Sequence, residues 1–442
     1  MTTSFINAFI VNEGQTEKGD VLIDGDRIAA IGPAGSLAGK ADKETDATGR
    51  YLMPGVIDEH VHFREPGLTN KADISTESAA AAAGGVTTYF DMPNTLPPTT
   101  TPEAWETKME TAHAKSIVNY AFFYGADNTN ADTFADLDMS HTPGIKLFMG
   151  ASTGGMLVDN EEALKDIFRK SPLPIMTHCE DTGIIRANTA RIQAEWGKDA
   201  PIELHPKVRS EACCVESTRK AIRLATETGA RLHIAHVSTA AELELIAHAG
   251  TRITGEACLS HLLFCDSDYQ RLGARIKCNP AVKTRRDRDA LRRALTDGSI
   301  LTVATDHAPH LLREKQGGCL MAASGMPMIQ FSLPAMLTLS DEGILPIERV
   351  VELMCHAPAR LFGLIGRGFI RTGYKADLVL LRRKRHIVTD NDVVSKCKWT
   401  PLEGFALGWA VETTLCNGKT AYSHDKVFTD TRGESVTFSH HG

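Results

Sequence analysis

The chain has 442 residues, 42% of them hydrophobic and 23% charged, with a formal net charge of −7 at pH 7 and a pI near 6.2. This composition can bury a large core, and its mild acidity argues against nucleic acid or an anionic membrane as a main partner. No basic segment precedes an apolar one near the N-terminus, and no apolar run could span a bilayer, so we expect neither a signal peptide nor an anchor. Ten cysteines without CxxC spacing favour reduced thiols and a cytoplasmic location.

The two ends of the chain share a pattern of short strands separated by turns. Apolar runs on both sides of residues 24–26 predict a hairpin, because a glycine lies at its centre. Near the C-terminus, the pair Asn417 and Gly418 is a strong hairpin signal. We therefore expect residues 1–53 and 367–442 to form one small β-sandwich domain.

Between these ends, apolar stretches of strand length alternate with longer amphipathic stretches that have helical periodicity. Eight such βα units, with strands too apolar to be half exposed, predict an α/β fold: a closed (β/α)8 TIM-type barrel over residues 54–366. An open doubly wound sheet is the competing fold, but no Gly-rich dinucleotide fingerprint follows the first strand. The strands are predicted at residues 56–63, 86–91, 119–124, 144–149, 174–178, 231–236, 251–258 and 300–306. Helices are predicted at 103–115, 160–170, 210–228 and 239–248.

His60 and His62 stand at the end of the first barrel strand. Alternation along a strand places them on the same face. Neutral imidazoles at this spacing can bind one metal ion together. Two core histidines that only hydrogen-bond to their neighbours explain the pair about equally well.

Polar residues at the ends of later strands favour the metal site. His178 ends the fifth strand, His236 the sixth and Asp306 the eighth. In a barrel these strand ends meet over one pocket. Each residue alone would be an ordinary core residue, but together they predict a metal centre.

Lys146 lies inside the apolar fourth strand. An ammonium ion there would suffer a large desolvation penalty, which favours the neutral amine. A neutral amine can take up carbon dioxide and become a carbamate, whose two oxygens can bridge two metals. The alternative is a buried ion pair between Lys146 and Asp306; given the histidines, we favour the bridge.

With these residues in place, the chain resembles the amidohydrolase superfamily and, within it, the dihydroorotase family over nearly its full length. Several ordered motifs carry the resemblance. They are DEHVHFREPG (58–67), DMPNT (91–95), KLFMG (146–150), IAHVST (234–239), ATDHAPH (304–310), KADLVLL (375–381) and SKCKWTPLEG (395–404).

The resemblance implies two zinc ions per chain, bridged by carboxylated Lys146. Some family members place a bridging aspartate after strand four, but the segment GASTGG (150–155) offers no carboxylate. Asp306 would be both a metal ligand and the general base. The implied metal ligands are His60 and His62 on one ion, His178 and His236 on the other, and Lys146 and Asp306. The implied substrate-binding residues are Arg64, Asn94, Asn279, His310 and Gly325, the last in a segment, ASGMPMIQ, that departs from the family's usual Gly-rich pattern.

The implied reaction is the reversible cyclisation of N-carbamoyl-L-aspartate to (S)-dihydroorotate in pyrimidine biosynthesis, with a hydroxide shared by the two metals. The substrate would be a small molecule, with no nucleic-acid or membrane partner; the oligomeric state stays open, a homodimer included. Alternatives are a hydantoinase, dihydropyrimidinase or allantoinase, which would not need Arg64 for a ring carboxylate, and a non-catalytic scaffold for a transcarbamoylase. Arg64 could also be structural, paired with Glu65 or Asp91.

Three further histidines fit ordinary packing. His233 is three residues from His236, so we expect it to face outward. His261 is given no role, and His205 is expected to pack or hydrogen-bond between helices. The Gly-containing segment 309–327 is a candidate closing loop.

Overall fold

The computed structural model describes residues 1–150 and 155–440. The strands are β1 (Thr2–Asn12), β2 (Gln15–Asp24), β3 (Arg27–Pro33), β4 (Lys43–Asp46), β5 (Tyr51–Pro54), β6 (Val56–Val61), β7 (Val86–Asp91), β8 (Asn119–Phe122), β9 (Tyr124–Gly125), β10 (Ile145–Phe148), β11 (Ile175–His178), β12 (Leu232–Ile234), β13 (Ile253–Cys258), β14 (Thr302–Ala304), β15 (Leu378–Ile387), β16 (Ala406–Cys416), β17 (Lys419–Ser423) and β18 (Lys426–Val427).

The α-helices are α1 (Ile74–Ala83), α2 (Pro102–Lys115), α3 (Glu161–Lys170), α4 (Thr182–Trp196), α5 (His205–Val208), α6 (Glu211–Thr228), α7 (Ala240–Ala247), α8 (Leu259–Leu263), α9 (Tyr269–Leu272), α10 (Arg285–Asp297), α11 (Ser332–Asp341), α12 (Ile347–Val351) and α13 (Ala357–Phe362). Side chains that cap helix N-termini explain why some helices begin after their predicted start. Asn160 accepts from the first backbone N–H groups of α3, and Thr239 does so for α7.

The central strands form a closed parallel barrel, as predicted. Pairing runs from β6 to β8 and from β9 to β14 in chain order. β8 and β9 are separated by a single residue, so they act as one barrel strand. The circle closes where Val61 pairs in parallel with His307, whose carbonyl accepts from His62 N at 2.8 Å.

The barrel strands are apolar because both of their faces are covered. β6 and β7 are buried at every position. Phe90, Phe123 and Met176 fill the lower interior together with Phe362 and Phe438, while the outer faces of the strands pack on the helices. The polar site residues therefore have only the upper end of the barrel available, as in other TIM barrels.

Strands from both ends of the chain form one nine-stranded sheet. Its order is β18-β17-β16-β15-β5-β1-β2-β3, with β4 beside β1. The predicted hairpin between β16 and β17 turns at Asn417 and Gly418, whose φ angles of +51° and +72° match the type I′ turn that such pairs adopt. After β18 the chain returns to the barrel, where Ser435 pairs with Tyr120.

All ten cysteines are buried, and their thiols are free. Among the helices in residues 1–150 and 155–440, none combines the length and the apolar character that a membrane span needs.

Candidate metal centre and active site

A cavity opens at the C-terminal ends of the barrel strands. Every residue predicted for the site lines it except Lys146, which lies fully buried on β10. The lining residues are His60, His62, Arg64, Asn94, Phe148, His178, His236, Asn279, Asp306, Ala308, His310, Ser324 and Gly325.

His60 and His62 lie beside Asp306 on one side of the cavity. Asp306 Oδ1 is 3.0 Å from His62 Nε2 and 3.6 Å from His60 Nε2. His62 Nδ1 donates to Asn94 Oδ1 at 2.8 Å, which leaves a lone pair on Nε2. A lone pair and a carboxylate oxygen this close need a proton or a cation between them, so these three side chains suit a metal ion.

His178 and His236 form the second pair. His178 Nδ1 is 2.9 Å from His236 Nε2, and His178 Nε2 is 2.9 Å from the carboxylate of Glu180, which is also ion-paired with Arg209. Burial lowers the pKa of both histidines, so both are neutral and able to bind metal. The rings of His236 and His60 are 5.2 Å apart between centroids, which places the two pairs side by side.

Burial is the main reason that the pKa values of His60 and His236 are low, and the charge of nearby Lys146 lowers both further. The Lys146 side chain is fully buried, and Nζ has no hydrogen-bond partner among the described residues. Burial lowers the pKa of this amine to about 8. The close contacts of Asp306 within the described residues are with His60 and His62, so the alternative of a direct Lys146–Asp306 ion pair does not account for Lys146.

Glu256 contacts both histidine pairs, a role that was not predicted from the sequence. Its Oε1 accepts from His60 Nδ1 at 2.8 Å and from the backbone N–H of His236 at 2.9 Å. The first bond fixes the tautomer of His60 and leaves Nε2 for a metal. Glu256 could have been identified from the sequence, because a carboxylate inside the apolar strand β13 would suffer the same desolvation penalty as the Lys146 ammonium.

Three site residues have left-handed backbone conformations. The φ angles are +69° at Arg64, +39° at His236 and +47° at Asp306. Such conformations are uncommon for residues other than glycine and cost about 1–3 kcal/mol where they are strained. The surrounding structure therefore holds each of these side chains in a direction that a regular strand would not give.

This architecture has close counterparts among known proteins. The model of the amidohydrolase family matches residues 51–421. The chain belongs to the amidohydrolase family. It is 34% identical to a dihydroorotase of Methanosarcina mazei over 95% of this chain and 94% of that protein. It is 31% identical to an allantoinase of Bacillus velezensis over 93% and 92%.

Among solved structures, the L-hydantoinase (dihydropyrimidinase) of Arthrobacter aurescens matches with a TM-score of 0.93 and 30% identity, covering 98% of this chain and 99% of that one. The barrel and the sheet beside it are thus shared with cyclic-amide hydrolases. The relatives differ in the ring that their names specify, so substrate choice must come from individual cavity residues.

Arg64 is the permanently cationic side chain among the described residues that line the cavity. It is buried, and its Nε donates to the carbonyl of Pro309 at 3.1 Å. The two carboxylates considered as structural partners are paired elsewhere: Glu65 with Lys115, and Asp91 with Lys108 at 2.6 Å. Within the described residues, Arg64 forms no ion pair of 4.0 Å or less.

Asn279 and Gly325, two other residues predicted to bind substrate, also line the cavity. Asn279 Oδ1 is buried and has no hydrogen-bond partner within the described residues. Gly325 has a φ of +131°, and a Cβ built there would lie 2.6 Å from the carbonyl oxygen of Ala308 and 3.0 Å from the His310 ring. Only glycine fits at this position without moving His310.

Lys315 secures the segment predicted as a closing loop. Its buried Nζ donates to the carbonyl groups of Lys277, Ala323 and Gly325 at 3.0, 2.7 and 2.7 Å. Three acceptors match the three N–H groups of an ammonium ion. In this conformation the segment is a tethered wall of the cavity.

The prediction for His233 was wrong. His233 is fully buried and lies inside the barrel, where it contacts Thr254 Oγ1 at 2.7 Å and Thr302 Oγ1 at 3.3 Å. His205 and His261 are buried structural residues that contact the carbonyl oxygens of Cys278 at 2.9 Å and Pro280 at 3.0 Å. Residues 151–154, which form most of the GASTGG segment considered for a bridging aspartate, lie outside the described residues.

Proposed function

We propose that this amidohydrolase is a dihydroorotase, which interconverts N-carbamoyl-L-aspartate and (S)-dihydroorotate. The observation that carries the proposal is the pair Arg64 and His310, two nitrogen-bearing side chains that face the same cavity as the histidine cluster and Asp306. Dihydroorotate brings a ring carboxylate to such a pair. Hydantoin, dihydrouracil and allantoin have none, and would leave a buried guanidinium without its ionic partner.

We also propose a pair of zinc ions, one on His60 and His62 and the other on His178 and His236, with Lys146 as the bridge. The donor chemistry fits, because it combines neutral imidazoles with a buried amine that has no acceptor among the described residues. The neutral amine adds to carbon dioxide and releases a proton, which gives a carbamate with two oxygens. When bound, zinc ions polarise a carbonyl group and lower the pKa of water.

Asp306 is proposed as the group that moves the proton. Burial raises the pKa of this carboxyl, but His60, His62 and Lys146 outweigh burial and hold the pKa below its ordinary value. Asp306 is therefore ionised at neutral pH. It can accept the proton of the attacking water and return it to the ring nitrogen that leaves; in the reverse direction the same oxygen takes the proton from the ureido nitrogen.

The remaining cavity residues are proposed to orient the substrate. Arg64 offers a planar pair of N–H donors to a carboxylate. Asn94 accepts from His62 through Oδ1 and lines the cavity together with Arg64, so it is proposed to contact the substrate beside Arg64. Asn279 and the backbone at Gly325, which also line the cavity, would contact the ring.

A substrate comparison tests the proposal. Zinc-loaded protein would be assayed with dihydroorotate, hydantoin, dihydrouracil and allantoin, each beside a chelator-treated sample. We expect dihydroorotate to be the preferred substrate and the chelator to abolish turnover. Preference for an uncharged ring would replace the proposal with a hydantoinase or allantoinase function, and no turnover of any ring would support a scaffold.

A further inference from the structure

His310 lies between two cationic side chains that can only donate hydrogen bonds. Arg64 Nη2 is 3.2 Å from its Nε2, and Lys71 Nζ is 3.1 Å from its Nδ1. Burial, together with the charges of Arg64, Lys71 and Lys315, holds the pKa of His310 far below its usual range. A neutral imidazole has one N–H and one lone pair, so one of the two contacts sets a donor against a donor.

The surroundings favour Lys71 as the residue that takes the lone pair. Both the side chain and the backbone of Lys71 are fixed in place. Its Nζ also lies 3.0 Å from Glu314 Oε1, and its backbone N–H donates to the Leu68 carbonyl at 3.0 Å. Arg64 already donates through Nε to Pro309. Glu314 Oε2 also faces Nδ1, but at 3.7 Å it is beyond hydrogen-bond distance, whereas Lys71 Nζ is within it. With Lys71 bonded to Nδ1, the His310 proton is on Nε2, next to Arg64 Nη2.

We propose that Lys71 is a positioning residue that holds His310 as the Nε2–H tautomer. Nε2–H and Arg64 Nη2 then form a pair of adjacent donors, 3.2 Å apart, that one carboxylate group can satisfy. Lys71 does not line the cavity, so it acts through His310. The ion pair with Glu314 reduces the effect of the Lys71 charge on the substrate, so the nitrogen NMR measurement, which reads the tautomer directly, is the deciding test. The substrate part of this inference rests on the proposed function; the tautomer part does not.

The kinetic test compares Lys71→Met with wild type. Loss of one charge-assisted donor bond should raise KM for dihydroorotate about 10- to 100-fold, while kcat and metal content change little. In a His310→Gln background, the same substitution should change KM by less than about 2-fold, because its target is gone. Lys396→Met is the matched control, since Lys396 binds Asp73 at 2.9 Å and the Thr69 carbonyl near the same loop; it should leave KM unchanged.

The tautomer is read without substrate, by nitrogen NMR of histidine-labelled protein, with His310→Gln assigning the signal. We expect an unprotonated Nδ1 in wild type and in Lys71→Arg, and loss of that preference in Lys71→Met. An Nδ1–H tautomer in wild type, or an unchanged tautomer in Lys71→Met, overturns the inference whatever the kinetics show. If wild type instead fails to turn over dihydroorotate, the proposed function fails while the NMR result still decides the role of Lys71.

Discussion

Glu256 offers the sharpest test of how the metal centre is built. In Glu256→Ala, the N–H groups of His60 Nδ1 and the His236 backbone lose their acceptor, at 2.8 and 2.9 Å in the native protein. A buried donor left unpaired costs about 1–3 kcal/mol, so the two together should lower the free energy of unfolding by about 2–6 kcal/mol. Loss of the group that orients a metal-bound histidine typically weakens metal binding by about 10- to 100-fold.

The assay is competition for zinc against a chelator of known affinity, with thermal unfolding measured in parallel. Glu242→Ala is the matched control, because Glu242 is also buried and accepts from Thr218, Thr239 and the Ser238 backbone, away from the cavity. We expect both variants to lose stability and only Glu256→Ala to lose zinc affinity. Wild-type zinc affinity in Glu256→Ala, or an equal loss of affinity in Glu242→Ala, would refute the role of Glu256 in orienting His60 for the metal.

Four further predictions follow from the cavity. Arg64→Met should lower kcat/KM for dihydroorotate by about 10- to 150-fold with metal content intact; metal loss would instead make Arg64 structural. Lys146→Ala should reduce bound zinc from about two ions per chain to one or fewer, as a two-metal bridge requires, and full occupancy by metal analysis would exclude the carbamate. Asp306→Asn should bind substrate but turn it over about 100-fold or more slowly, so near-normal rates would remove it from the mechanism. Because the lowered pKa keeps His310 neutral, KM for dihydroorotate should show no transition between about pH 5 and about pH 6.5, the acidic side of an ordinary imidazole titration.

The barrel was predictable because its strands are covered on both faces and therefore read as continuous apolar runs. The positions of His60, His178 and Asp306 followed from the same logic, since parallel strand ends converge on one face. Lys146 could also be identified from the sequence, because a charged side chain inside an apolar strand is costly to bury unless it has a specific role.

The rest depended on contacts that no local pattern encodes. His233 was misplaced because simple alternation was carried through to His236, whereas β12 ends at Ile234 and the positive φ of His236 turns its side chain inward. Glu256 and Lys71 act on histidines about 196 and 239 positions away in the chain. Such partners become visible only when the strand ends and loops are assembled in space.

The sheet shared by both ends of the chain constrains the order in which the protein can mature on the ribosome. β5 pairs with β1 on one side and with β15 on the other, and β15 is synthesised only after all the barrel strands. Until then, β5 presents an open edge, and open edges promote aggregation. Nascent chains stalled before residue 378 also lack Phe438, which fills the lower barrel interior, so they should depend on chaperones even when the barrel strands have paired, and full-length release should end that dependence.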